Sequence, residues 1–413
     1  ISVGKKGKAI VMQTENNTVK NGGELTLKDS GLTANNQDIK VGDEGIGVYA
    51  EHTDITLDGD YGMAIGNKAV GIQTKGTTST VIQTGTSDIL NVEYKSSSTD
   101  NDTSAMAIAY TLDNPITDSY TNKLNLNLIN TDNAKALTGI YATEGVKLIN
   151  QGNITTASKG SYGILSKTVD VENTGEITVG ATSSTDSNAV GIYAENAGLT
   201  TDGDKIILQA NGDSTNTPIG IYAKADSNIG STVKDIKIEQ GSNAMTVTGK
   251  KAIAVFLKED GSTNNNKLKL LNSSNITLSD SANKTDRRIA LMLVDAKNTA
   301  NETSGIIKVG KNNIGILNDS SILTSTGTIE AKHNEAGTEN IGVHNTGNNF
   351  KFIVKKDGTN PGIIDVEGQD GTIGISAITS GTDSGEIELI DATVNVNAPD
   401  KNAGKIPLGI YSD

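Results

Sequence analysis

A short motif that returns along the whole chain constrains the fold more than any other feature. It reads as an aliphatic residue, a small residue, Ile or Val, then a larger side chain that is often Tyr. The clearest copies are Ile46-Gly47-Val48-Tyr49-Ala50, Val190-Gly191-Ile192-Tyr193-Ala194 and Ile219-Gly220-Ile221-Tyr222-Ala223. Ala takes the small position in Ile253-Ala254-Val255-Phe256 and Ile289-Ala290-Leu291-Met292, and a degraded first copy is Lys8-Ala9-Ile10-Val11. Fourteen such anchors run from Ala9 to Gly409 at a mean spacing of about 31 residues, with single steps from 24 to 38. A fixed motif at irregular spacing describes one structural rung repeated many times, with loops of variable length between rungs.

Between the anchors lies a weaker signal of alternating aliphatics after Asn, Asp or Gly turns. Asp54-Ile55-Thr56-Leu57, Asp235-Ile236-Lys237-Ile238 and Asn275-Ile276-Thr277-Leu278 are examples. Period-2 alternation means strands with one buried face, and no long 3.6-period stretch competes with it. Two or three short strands per repeat predict an all-β chain, a right-handed parallel β-helix solenoid of about 13 coils with variable loops. The Leu and Asn pattern of leucine-rich repeats and the strict short period of a hexapeptide helix are both missing. Aromatics are 3% of the residues, Trp is absent and Gly numbers 46, which suits many tight turns rather than an aromatic-rich globule. The regular spacing of aliphatics argues against disorder. Residues 1–413 are read as a single solenoid, with 75–122 a loop-rich insert region within it. Ile1 and Asp413 fall inside repeat patterns, so the chain is expected to be a piece of something longer.

The anchors also suggest a facing. The residues on either side of the small one are aliphatic and are expected to point inward. The small residue and the larger one two places after it are then expected to point outward. That outer column would read Tyr141, Leu165, Tyr193, Tyr222, Phe256, Met292, Leu317, His344, Ser376 and Tyr411, an unusually apolar series.

The formal net charge of −14 and a pI of about 4.8 exclude nucleic acid and anionic membrane surfaces as natural partners. There is no Cys, so disulfides play no part in stability. No apolar run reaches the length of a membrane helix, and no signal peptide is recognisable.

Catalytic constellations are weak. Thr382-Asp383-Ser384-Gly385 has the look of a serine nucleophile, with Ala50-Glu51-His52 upstream, but a triad needs the residues to converge. Asp58-Gly59-Asp60 and Asp202-Gly203-Asp204 are the best carboxylate pairs for glycan hydrolysis, and both are ordinary turn sequences. Arg287 and Arg288 could act as a clamp only beside an acidic site. His52, His333 and His344 show no metal-ligand spacing. The expectation is therefore no catalytic residue, no cofactor and no metal. A ligand is expected instead on the 75–122 region. Its rings Tyr94, Tyr110 and Tyr120 fall outside the period of the anchors, and Asp100 and Asp102 beside them suit sugar hydroxyls or a basic protein face.

The repeat, the acidity, the missing Cys and the Gly-Ile-Tyr-Ala anchors resemble the passenger regions of type V autotransporters, most of all the very large fusobacterial adhesins. The resemblance covers the whole chain but matches no site motif. It implies secretion and anchorage at the bacterial outer membrane through a barrel not seen in this sequence. It also implies a non-catalytic, monomeric adhesin that binds a host-cell or bacterial surface glycan or protein receptor. A polysaccharide-cleaving β-helix enzyme and a structural spacer displaying a distal tip are the alternatives.

Overall fold

A computed structural model describes residues 1–13, 23–28, 38–76, 81–95, 104–130, 136–156, 160–180, 188–213, 216–226, 232–260, 267–333, 339–368, 371–379, 384–397 and 407–412. The fold is a right-handed parallel β-helix. Among the described residues, each coil but the last gives one strand to each of three parallel sheets, here A, B and C, which hold 14, 14 and 13 strands. All fourteen anchors lie in sheet B, one per strand, from Lys8–Gln13 to Leu408–Ser412. The only helical turns among the described residues are the 3₁₀ segments Gly203–Lys205 and Lys284–Asp286.

The chain divides into two compact units, Ile1–Ala197 and Gly198–Asp413. In the first, a typical coil runs through Asn125–Ile129 in sheet A, Ala136–Ala142 in sheet B and Lys147–Asn150 in sheet C. In the second, a typical coil runs through Met245–Val247, Ile253–Lys258 and Leu268–Asn272 in the same order. Successive coils pair in strict register, as with Ile253↔Ile289, Val255↔Leu291 and Phe256↔Met292.

The core is a set of aliphatic ladders. The residue after each anchor is sealed off, with Ile72 at 1% exposure and Ile108, Ile140, Ile164, Ile192, Ile221, Leu291 and Ile316 at 0%. Each such side chain contributes about 1.5–3 kcal/mol of burial. The expected facing is corrected at the two positions before it. Ile46, Val70, Met106, Ile289 and Ile373, which precede the anchor, are only half-buried. The anchor itself points inward. A Cβ on Gly163 would sit 2.6 Å from the Gly191 carbonyl oxygen and 3.3 Å from the interior methyl of Ile177. On Gly342 it would sit 2.6 Å from the Gly374 carbonyl and 3.3 Å from Ile329. The cause is a break in alternation. The ladder pairs Tyr162↔Val190 and then Ile164↔Ile192, skipping the anchors, so anchor and next residue both face the interior. Only a small residue fits a backbone this close to the coil beyond it. Ala107, Ala254 and Ala290, all at 0% exposure, show that one methyl can be housed.

Asparagine supplies a second ladder, buried at the corner after sheet C. Asn122 Nδ2 donates to Asn150 Oδ1 at 2.7 Å, and Asn150 Nδ2 donates to Asn173 Oδ1 at 2.7 Å. Each amide also donates to a carbonyl two residues on, at Leu124, Gly152 and Gly175. The side chains thus satisfy turn carbonyls that no strand partner reaches.

Candidate functional site

The three rings expected in a loop are core residues instead. Tyr94, Tyr110 and Tyr120 are 5%, 5% and 2% exposed. Tyr94 ends the strand Ile89–Tyr94, whose inward members are Leu90, Val92 and Tyr94. Tyr110 belongs to Ser104–Thr111 and Tyr120 to Ser119–Asn122, in the column of Leu148 and Val171. Tyr110 and Tyr120 stack inside the wall at 4.2 Å and 10°. Burial pushes both phenols well above the ordinary tyrosine range, with the neighbouring Tyr120 adding to the effect at Tyr110. Where it is described, the 75–122 region carries coil strands as well as turns. It holds the strands Val81–Gln83, Ile89–Tyr94, Ser104–Thr111 and Ser119–Asn122, each paired in register. These sealed rings offer no face to a ligand. Asp100 and Asp102 lie outside the described residues.

The outward column of sheet B is present as expected. In the second unit Tyr222, Phe256, Met292, Leu317 and His344 follow one another in register, all half-buried. Tyr222 and Phe256 stack at 4.7 Å and 6°. Each therefore spends a ring face on its neighbour and turns an edge outward, which suits wall stabilisation better than stacking on a sugar.

The residues weighed for catalysis are tied into turns. Ser384 Oγ donates to Asn349 Oδ1 at 3.2 Å. His52 Nε2 lies 3.4 Å from Asp113 Oδ2 in the first unit. Asp60 accepts from the Ile89 N–H at 3.0 Å and Asp204 from the Asn243 N–H at 3.2 Å, so both carboxylates cap the turn of the next coil. Arg288 is 5% exposed and donates to the Ser279 and Thr248 carbonyls, while Arg287 and Lys284 close on Glu339 at 2.6 and 2.8 Å. His344 Nδ1 lies 3.3 Å from Ser376 Oγ, and burial lowers its pKa, but the pair are ladder neighbours and Ser376 is 2% exposed. Among the described residues no three His, Asp or Glu gather in a metal-binding group.

A surface feature with ligand-like geometry is a hollow of about 440 Å³ on the outer face of sheet C, within the second unit. Lys237, Leu271 and Glu302 form one outward column of it, paired in register across three coils. Glu239, Ser273 and Ser304 form the adjoining column. The strand at Glu302–Thr303 has only 2 residues, and the two serines are short, so the wall dips between the long side chains of Lys237, Glu239 and Glu302. Leu271 is half-buried and makes an aliphatic floor. The Asn272 amide beneath is fixed by bonds to the Ser274 carbonyl at 3.2 Å and Thr303 Oγ1 at 3.0 Å. Glu302 accepts from Thr326 Oγ1 at 3.2 Å, and Lys237 lies 3.7 Å from Asp235. The sequence carries a trace of this site. Aligning Ile236-Lys237-Ile238-Glu239 with Leu270-Leu271-Asn272-Ser273 leaves a Leu outside, but anchors in sheet B do not reveal the register of sheet C.

No family model, no curated protein and no solved structure matches this chain.

Proposed function

We propose that the protein is a non-catalytic surface-binding protein of the adhesin type, acting outside the cell at the bacterial outer membrane. One observation carries this reading. The candidate acids, bases and nucleophiles described above are engaged in capping turns or closing ion pairs, while the outer wall of sheet C keeps an open, polar-rimmed hollow. A catalytic site needs groups poised on one reacting atom, whereas recognition needs only a shaped, rigid surface. In-register ladders supply that rigidity. The acidity keeps the surface away from nucleic acid and anionic lipid and leaves glycans or protein receptors as partners.

The test incubates the 413-residue chain with arrayed host and bacterial surface glycans and with whole cells. Retention without new reducing or unsaturated ends is the expected result. Chain cleavage would overturn the reading in favour of a polysaccharide-degrading enzyme. Absence of retention on every surface would overturn it in favour of a spacer.

A further inference from the structure

We infer that the hollow on sheet C is a subsite for an uncharged hexose unit of a surface glycan. This rests on the adhesin reading above and names the place and chemistry of recognition. The first argument is size. At about 440 Å³ the hollow lies within the range of small-ligand sites. Its lining spans three successive coils, which at about 4.8 Å each cover about 10 Å along the stack. That is room for a short stretch of sugar lying along the coils.

The second argument is chemistry. A pyranose has one face rich in C–H and a rim of hydroxyls that both donate and accept. The half-buried Leu271 gives the C–H face an aliphatic floor. Glu239 and Glu302 are acceptors, Lys237 is a donor, Ser304 can serve as either, and Ser273, whose Oγ donates to the Ile238 carbonyl at 3.3 Å, accepts. Such a set pairs with hydroxyls at several points without demanding a charge. An anionic sugar would place its carboxylate or sulfate against two glutamates within a chain of net charge −14. The hollow therefore selects neutral over anionic glycans. An aliphatic floor in place of an aromatic ring makes a single contact weak, so binding depends on repeated display.

The third argument is rigidity. The floor stands on strands held in register, and the Asn272 amide beneath it bridges to the next coil. Outward substitutions here leave the interior ladders untouched, so they can be read without loss of the fold.

The test uses the full chain, neutral hexose oligosaccharides and matched sialylated or sulfated ones, with saturation-transfer NMR and array binding as readouts. Wild type should bind the neutral set at least tenfold better than the anionic set. Ser273→Tyr, which fills the hollow, should cut neutral binding at least tenfold, and Glu239→Gln with Glu302→Gln should cut it about fivefold. Melting should be unchanged in both variants. If wild type binds neutral glycans and both variants bind as well as it does, this subsite is overturned and the adhesin reading stands. Preference for anionic glycans also overturns the subsite alone. No glycan binding by wild type overturns the subsite, and retention on whole cells then decides whether the adhesin reading survives through a protein receptor.

Discussion

Two ring stacks of nearly the same geometry sit on opposite sides of the β-helix wall. Tyr110 and Tyr120 lie 4.2 Å apart at 10° inside the first unit, and Tyr222 and Phe256 lie 4.7 Å apart at 6° on the outer face of the second. The inner pair is 5% and 2% exposed, whereas the outer pair remains half-buried. The outer pair follows from register, because Tyr222 and Phe256 are directly paired in the ladder and their rings lie side by side. The inner pair joins sheet B to sheet C and fills volume that other coils leave to small residues. In the same inward column, Ala142, Ser166 and Ala194 stand where Tyr110 stands. A stacked ring pair is thus no sign of a ligand site in this fold. Which side of the wall it occupies decides what it does.

The largest effects are expected at the sealed column. Ile192→Asp and Ile221→Asp each place a charge where exposure is 0%, and each should cost several kcal/mol. Denaturant midpoints of the two variants measure this. The neighbouring Ile219→Asp, at 8% exposure and facing outward, should cost clearly less.

Tyr120→Ala should come next, at about 3–4 kcal/mol, because truncation leaves a cavity in the packed interior. Phe256→Ala removes a ring of similar size from the outer face and should cost about 1 kcal/mol. Equal losses in thermal melts would erase the contrast between the stacks.

Asn150→Ala should cost about 1–3 kcal/mol, since it strands the Asn122 amide and the Gly152 carbonyl in a buried corner. Hydrogen exchange around 122–124 and 150–152 should rise with it.

The pH dependences are smaller. Burial raises the Tyr110 and Tyr120 pKa values, so the unfolded chain loses those protons first as the solution turns alkaline. Their contribution is complete below about pH 10 and is lost above it. Absorbance of phenolate should show these two rings ionising only as the fold opens. Glu259 is 1% exposed and accepts from the Lys267 and Leu268 N–H groups at 3.1 and 2.8 Å, yet burial still raises its pKa. Its contribution is present in acid and declines as pH rises through the folded value. Glu259→Gln keeps one acceptor and removes the charge, so it should be more stable than wild type at pH 7, and the gain should vanish in acid.

Much of the fold was legible because sheet B repeats its anchor in every coil. The anchor located all fourteen of that sheet's strands, and the alternation at Asp54–Leu57 or Asn275–Leu278 pointed to strands of the other sheets. The facing at the anchor departs from strict alternation, because the chain breaks it between Gly191 and Ile192. Smallness there reports a backbone near its neighbour, not an outward position. The tyrosines were misplaced for a related reason. Leu90, Val92 and Tyr94 do alternate, but they follow the period of sheet A and not that of the sheet B anchors. The asparagine ladder was hidden because a buried Asn and a turn Asn look alike in a sequence. The hollow depends on the mutual register of three sheet C strands, which short pairs such as Glu302–Thr303 do not announce.

The assignment of side chains to the two sides of the wall is best tested with thiols, because the chain has no Cys of its own. Single variants Ile221→Cys, Tyr120→Cys, Ile219→Cys and Tyr222→Cys would be treated with a maleimide in native buffer and in denaturant. The expected result is rapid native labelling at 222, slower labelling at 219, and labelling at 221 and 120 only after unfolding. Native labelling of 221 or 120 at the rate seen for 222 would contradict the account.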